Sequence, residues 1–560
     1  MIKIRNQAWE ISIARRIVWL MASFAGGALY AAALPPLNWS FAVFISLLPV
    51  LHCGNCFRWK FSLLSGWCWG LGWALFSYQF LREIEWFVPY ALAPVMALWP
   101  AAWAALLPKL REWMLFPPEK LLWNARKKNE YLQTALPWYR VLLFALAAAV
   151  LFTLTEWSRS RLFVWNDFSV TQWRNLSLIQ IAAVTGSYGI GFLIAWCNSA
   201  IYGILRFRKA GIIQAALVLL IFLLSTGYGF YRVSELKKLT PEKYLRAGLI
   251  QCDLSQRRHA SENEALEAIE VCVDLSRKAA VQNPDIIIWP ESAVPIPLNS
   301  GGYAGSVFRR EFSALLRDLK MPLLAGMLAF KAGSTAENWQ VTNSALLFPA
   351  DRKSVGRYDK IHRVPFGEYV PFRKYLPEAL INAVDMGRDL APGNNFEPLN
   401  ISPEIRASIA ICYEGVFGYL IRRFALRRSD LLIVLSNDAW YPRSSEPEQH
   451  LANAVIRCVE SGLPMIRCGN NGGSGMVTVW GEFTGYIGSS ARRPELLRER
   501  ACGVVEVPLY QSGQISTPFV KYGEWFILLL AMFAFAIIIY GVIWETDRRK
   551  LAGELTGENF

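Results

Sequence analysis

The strongest constraint on this chain is a series of long apolar runs. They lie near residues 17–34, 39–53, 61–81, 88–107, 141–157, 178–205, 211–231 and 524–544. A helix crossing the hydrocarbon core of a bilayer needs roughly 20 apolar residues and tolerates as few as about 17. Together the runs predict an α-helical bundle of about eight spans. The weakest is 39–53, which is short and interrupted by Pro49. Composition agrees, with 54% of residues hydrophobic, 14% aromatic and only 18% charged. An average soluble domain carries nearer a quarter charged. One large soluble core does not account for such a chain.

The formal net charge of +14 invites a nucleic-acid reading, and its distribution argues against one. With a cytoplasmic N-terminus, the inside segments are 1–16, 54–60, 108–140, 206–210 and 545–560, and each carries Lys or Arg. That is the bias that orients membrane proteins. Basic juxtamembrane surfaces also suit anionic head groups, so membrane lipids, not nucleic acid, are the expected surroundings. The outside segment 158–177 is the exception, with Arg159, Arg161 and Arg174. The start, MIKIRNQAWEISIARR, is basic and leads into an apolar run without a small-residue cleavage site. It reads as a retained anchor. Trp67, Trp69, Trp73, Trp86 and Trp99 read by default as belt residues at the membrane interface.

This topology divides the chain into transmembrane helices over 1–231, a large non-cytoplasmic domain over 232–523, and a last helix with a cytoplasmic tail over 524–560. The middle segment has a different texture. Strand-like runs at Leu245–Gln251, Asp285–Trp289, Pro322–Leu328, Ser344–Phe348, Ile405–Ile411 and Leu431–Leu435 alternate with helix-like stretches at Ser261–Ala280 and Ser306–Leu319. Ser261 and Glu264 offer a capping box. The alternation predicts a layered α/β domain. VTVWGEF, with Gly481 and Glu482, resembles a hairpin turn.

Three stretches of that domain carry candidate chemistry. IRASIAICYEGVFGYL reads as a strand, a sharp exit at Cys412-Tyr413-Glu414, and a helix start. A thiol at a strand end, with helix-start amides nearby to favour thiolate, suits a nucleophile; the plain alternative is a buried core cysteine. In IIIWPESAVP, Glu291 sits at the edge of a core, where a carboxylate suits a general base for the thiol proton. In YDKIHRVPFGEYVPF, Lys360 is placed to stabilise an oxyanion together with the Tyr413 N–H, unless it is a surface lysine. Glu368 is placed to pair with Lys360, and Glu414 to support from behind. Cys53-Gly-Asn-Cys56 is a lone CxxC at a helix end, and the other cysteines are scattered. Neither a metal site nor a disulfide framework follows. His450, after Glu446, Glu448 and Gln449, reads as a cap or supporting residue.

WPES, then Lys360 with Glu368 eight residues on, then ICYE, resemble the carbon–nitrogen hydrolase (nitrilase) superfamily. Within it, a multi-span N-terminus, a nitrilase-like domain and one last span look like the apolipoprotein N-acyltransferase family. Further matching pieces are Glu156-Trp157, Gln180-Ile181-Ala182, Gly186-Ser-Tyr-Gly189, Asn343-Ser344-Ala345, SNDAW at 436–440, Gln449-His450, Arg457, Glu460, Arg467 and Asn470-Asn471-Gly472. The resemblance implies an α-β-β-α sandwich and a Glu291–Lys360–Cys412 triad without metal or cofactor. It implies acyl transfer from the sn-1 position of a phospholipid, with phosphatidylethanolamine the expected donor. Transfer proceeds through a Cys412 thioester to the α-amine of a diacylglyceryl cysteine on an apolipoprotein. It implies a multi-pass protein of the bacterial inner membrane, facing the periplasm, for which a monomer suffices. Three features depart from the family. Val164-Trp-Asn-Asp-Phe168 replaces a Gly-Phe-Pro-Trp-like element, His259-Ala260 replaces a Lys-Trp, and the loop 108–140 is long.

Two rivals remain. A tethered amidase using the same triad would need only one anchor. A membrane scaffold or transporter leaves the triad unexplained, and the runs show few central charges, where transport sites usually bury ionisable groups.

Overall fold

The computed structural model describes residues 13–556 except 124, 257–259, 332, 335–338, 379–380, 382–388, 442, 489–497 and 512. The basic residues before 13, and His259, lie outside the described residues. The chain divides into two compact units, one of Met1–Gln172, Ser187–Tyr228 and Glu524–Phe560, the other of Trp173–Gly186 and Gly229–Gly523.

The first unit is helical. Among the described residues five helices are long and apolar enough to cross a membrane: Ile13–Ala33, Val88–Leu115, Trp138–Ser160, Ser187–Lys238 and Trp525–Leu551. The expected runs therefore do not become eight separate long helices. Run 39–53 falls, from residue 42 on, in the shorter apolar helix Ala42–Cys56. Run 61–81 forms the 19-residue helix Trp59–Ser77, which is diluted by Trp, Gly and Ser. Run 178–205 is broken at Gly186, and its remainder joins run 211–231 in Ser187–Lys238, which is interrupted only at Arg208 (φ 49°). Part of the expected loop 108–140 is helical, since Leu98–Leu115 continues through Pro108.

Two of the five expected belt tryptophans are core instead. Trp69 and Trp73 are 1% exposed, whereas Trp86 is 71% exposed. Tyr30 stacks on Trp69 and Trp73 with ring centroids 5.6 and 5.5 Å away, and Phe168 meets it edge-on at 4.5 Å. Offset and edge-on rings add roughly 0.5–1.5 kcal/mol per pair to burial alone. The packing needs a close backbone approach: a Cβ at Gly27 would lie 1.9 Å from the Trp69 carbonyl oxygen. Small residues at such crossings let apolar helices touch where lipid supplies no hydrophobic drive.

The second unit contains two six-stranded sheets. In the first, β1 (Lys243–Gln251), β2 (Ile286–Ile288) and β3 (Leu323–Phe330) run parallel. β4 (Val341–Phe348) and β5 (Gly356–Asp359) follow antiparallel, and β12 (Ala501–Leu509) flanks β1. In the second, β7 (Ile405–Ile411), β8 (Leu431–Ser436) and β9 (Met465–Gly469) run parallel. β6 (Leu399–Ser402) lies outside β7, and β10 (Gly475–Val477) and β11 (Phe483–Thr484) continue from β9. Cys468 of β9 joins the sheets, its Sγ reaching the carbonyls of Ile250 (3.4 Å) and Ile288 (3.3 Å).

Helices Glu262–Ala280 and Gly302–Asp318 cover the first sheet through Ala268, Ile269, Phe308 and Phe312, packed with Ile287 and Leu323. Strands buried on both faces read as continuous apolar runs, as β8 does. The Ser261 capping box forms, with Glu264 N–H donating to Ser261 Oγ at 3.2 Å and Ser261 N–H to Glu264 Oε2 at 2.7 Å. The helix expected from Ser306 starts earlier, at Gly302. The expected hairpin is present, with Val477 opposite Phe483 and the Gly481 N–H closing onto the Thr478 carbonyl at 2.9 Å. All ten cysteines are free thiols.

Candidate active site

The three stretches converge at strand ends. Glu291 follows β2 through Trp289 and Pro290, Lys360 directly follows β5, and Cys412 directly follows β7. Gly326 on β3 makes room for the first of these: a Cβ there would sit 2.2 Å from the Pro290 carbonyl oxygen.

Lys360 is no surface lysine. It is 1% exposed, and its ammonium donates to Glu291 Oε1 at 3.2 Å and to Glu368 Oε1 at 3.0 Å. Burial alone would lower its pKa, but the Glu291 and Glu368 charges overcome that and hold it well above the ordinary value. Asn343 on β4 donates to the same two oxygens, at 2.7 Å to Glu291 and 2.9 Å to Glu368. Glu368 Oε2 accepts from the Val364 N–H at 2.8 Å. Glu291 Oε2 receives no hydrogen bond among the described residues.

Cys412 opens a tight turn, Cys412–Val416, with φ 53°. That left-handed conformation costs a non-glycine residue about 1–3 kcal/mol and persists only where the surroundings hold it. Glu414 supplies part of the hold. It is fully buried and accepts from the Ile411 N–H at 2.8 Å, from the Tyr358 hydroxyl at 2.9 Å, and from the Ile361 and His362 N–H groups at 2.7 and 2.9 Å. One carboxylate thus ties the turn bearing Cys412 to the segment that follows Lys360. Burial pushes Glu414 up to about 7 against the pull of those N–H donors and of Lys360.

The thiol departs from expectation. Burial and then the Glu291 charge push it well above its ordinary value, with Lys360 only partly opposing them. That direction opposes the thiolate that helix-start amides would favour. The Tyr413 ring packs edge-on against Phe417 at 4.8 Å.

Sequence reasoning missed part of this site. Asn343 entered only as a piece of the family pattern, Asp438 as part of SNDAW, and His450 as a cap or supporting residue. His450 is in fact buried, with Nδ1 3.1 Å from Asp438 Oδ1 and Nε2 3.0 Å from the Cys412 carbonyl oxygen. Among the described residues, Cys412, Asp438 and His450 are the group whose donor atoms lie close enough to hold a metal ion, all within 4.8 Å of one another. Asp438 is already paired with Arg467, and both His450 nitrogens are engaged. The set fits a hydrogen-bonded chain. The signal that could have found Asp438 is a polar side chain just past the apolar strand β8, the neighbour of β7.

A carbon–nitrogen hydrolase family model matches residues 246–491, and the model of the apolipoprotein N-acyltransferase N-terminal domain matches residues 26–200. A protein of Caulobacter vibrioides named apolipoprotein N-acyltransferase is 30% identical over 72% of this chain and 73% of its own length. The chain belongs to the apolipoprotein N-acyltransferase family. Another protein so named, from Geobacter metallireducens, is 36% identical over 58% of this chain and 61% of its own length. One from Vibrio vulnificus is 29% identical over 95% of this chain and 98% of its own length.

Proposed function

We propose that this protein transfers an acyl chain from the sn-1 position of a phospholipid to the α-amine of the N-terminal diacylglyceryl cysteine of an apolipoprotein. One observation carries the reading: Lys360 held between Glu291 and Glu368 at 3.2 and 3.0 Å, within electrostatic reach of Cys412 at another strand end. The names of the relatives support the acceptor class.

The geometry supports the following catalytic roles. Glu291, with Oε2 open, takes the proton from the Cys412 thiol as the sulfur attacks the ester carbonyl. The Lys360 ammonium and the Tyr413 N–H face the oxyanion that develops, and donors fixed in advance are worth most there. The ester C–O bond breaks, Glu291 returns the proton to the departing lysophospholipid alkoxide, and Cys412 is left as a thioester. The lipoprotein amine then attacks that thioester. Glu291 accepts the amine proton, the C–S bond breaks, and the proton returns to the thiolate. Division into two transfers predicts ping-pong kinetics. Glu368 and Asn343 keep the ammonium aimed, and Glu414 braces the turn.

Residues 232–523 form the catalytic domain on the periplasmic face of the bacterial inner membrane in this reading. Residues 1–231 and 524–560 lie in the bilayer, phosphatidylethanolamine is the donor, and a monomer suffices. Intact mass after incubation with phosphatidylethanolamine tests the proposal. The expected result is a fatty-acyl adduct on the wild type, absent from Cys412→Ser and discharged by a diacylglyceryl-cysteine peptide. An adduct discharged by water alone would make the protein a lipid hydrolase, and no adduct from any phospholipid would return the tethered amidase to first place.

A further inference from the structure

Behind Cys412 the sandwich buries a chain of polar groups that the steps above do not use. Asp438, just past β8, His450, on the helix Glu446–Ser461, and Arg467, on β9, are each at most 1% exposed. Arg467 pairs with Asp438 Oδ2, Asp438 Oδ1 lies 3.1 Å from His450 Nδ1, and His450 Nε2 lies 3.0 Å from the Cys412 carbonyl oxygen. A peptide carbonyl only accepts, so Nε2 donates.

That carbonyl belongs to the same peptide unit as the Tyr413 N–H. In a trans peptide the C=O and N–H lie in one plane and point in opposite directions. Whatever fixes the carbonyl therefore fixes where the N–H aims. Donation to the carbonyl also polarises the peptide and strengthens its N–H as a donor. Cys412 sits at φ 53°, so this plane departs from the ordinary strand exit and needs holding. Among the described residues, the other charged groups near the ring are placed elsewhere. Glu446 Oε1 stands 3.7 Å from Nδ1, on the Asp438 side, and Glu414 holds the preceding residue through the Ile411 N–H.

We propose that His450, aimed by Asp438 and Arg467, is a positioning residue that clamps the Cys412–Tyr413 peptide so that the Tyr413 N–H points at the developing oxyanion. The inference rests on Cys412 being the nucleophile and Tyr413 an oxyanion donor.

Two reactions of the same sulfur separate this role from general damage. Acylation passes through an oxyanion, whereas alkylation by iodoacetamide is a displacement at a saturated carbon and forms none. In full-length detergent-solubilised protein, His450→Ala is expected to slow formation of the Cys412 acyl adduct from phosphatidylethanolamine by about 10²–10³-fold, the usual cost of one oxyanion donor. The Cys412 alkylation rate is expected to stay within about twofold, since that reaction needs no such donor. His450→Gln, which keeps an N–H donor at similar reach, is expected to recover most of the acylation rate, and serves alone if the alanine variant does not fold.

Unchanged acylation, a parallel fall of both reactions, or His450→Gln as slow as His450→Ala would each overturn the proposal. Acylation by p-nitrophenyl butyrate is measured alongside. A wild type that accepts this ester and no phospholipid would refute the lipid reading while leaving the role of His450 to be decided on the ester.

Discussion

The helical unit and the sandwich each bury an ion cluster, and they assemble it in different ways. In the helical unit Arg159 and Glu156 stand three residues apart on one helix, with Nε to Oε1 at 3.0 Å. Arg159 Nη2 donates to Glu156 Oε2 at 3.2 Å and Nη1 to the Phe163 and Trp165 carbonyls, and the guanidinium lies over the Trp73 ring at 4.9 Å. In the sandwich Lys360 reaches Glu291, 69 residues away, and Glu368, eight residues away, with Asn343 joining both acids from a third segment. The first cluster is local and closed by its own surroundings. The second is assembled only when β2, β4 and β5 are paired, and among the described residues it leaves one Glu291 oxygen without a hydrogen bond. A buried charge whose partners are all committed is structural; an ion cluster that keeps an open acceptor beside a thiol can do chemistry.

Four experiments would break or sharpen that contrast. The largest effect is expected from Lys360→Met. It removes the cation from between buried Glu291 and half-buried Glu368, costs about 3–5 kcal/mol in unfolding experiments, and abolishes acyl-adduct formation. Adding Glu368→Gln should restore much of the stability and none of the activity. Arg159→Met should destabilise by a similar amount, and with Glu156→Gln regain stability together with most of the turnover per folded molecule. Activity lost in that folded double variant would make the helical cluster functional too.

Asn343→Ala comes next. It takes one shared donor from both acids, so a loss of about 1–3 kcal/mol is expected, with acylation slowed more than donor binding. A separate measurement of kcat and KM decides.

Glu414 comes third, through pH. Its folded pKa, about 7, lies above the ordinary 4.5, so between those values the folded chain binds a proton that the unfolded chain has lost. Its contribution to stability is fully present below pH 4.5 and is lost as pH rises through about 7. Glu414→Gln should flatten that part of a denaturant-midpoint profile, while setting an amide N–H against backbone N–H groups at every pH. A profile of unchanged shape would show that Glu414 does not titrate there. The smallest effect is expected at Arg277→Ala. Its pair with Asp318 is about half exposed on both sides, and such pairs contribute roughly 0–1 kcal/mol.

Local signals were read well because local physics sets them. The strand Ile405–Ile411 forms over the residues whose apolar run marks it, and Ser261 caps its helix as its spacing to Glu264 requires. Glu291, Lys360 and Glu368 come together as the motifs imply, and Glu414 supports from behind. The hidden parts depend on partners far away in the chain. Trp69 and Trp73 look like belt residues until Tyr30 and Phe168 pack on them. Gly186 and Arg208 decide how apolar runs divide, and hydropathy does not weigh single backbone angles. Cys412 reads as a thiol with helix-start amides, and only the folded surroundings, the Glu291 charge among them, push its pKa up.

By itself the sequence determined the class of the molecule: apolar helices long enough for a bilayer, an α/β domain between them, and an acid, an amine and a thiol each just past a strand. Composition, periodicity and capping act over a few residues, so they are written where they act. Tertiary structure decided which groups meet. The pairing of β4 with β5 puts Asn343 beside Lys360, and the parallel run of β7, β8 and β9 puts Asp438 and Arg467 behind Cys412. Hydrogen bonds act over about 3 Å, and a slip of one residue in a strand turns every side chain to the other face. The site therefore exists only once the registers are set.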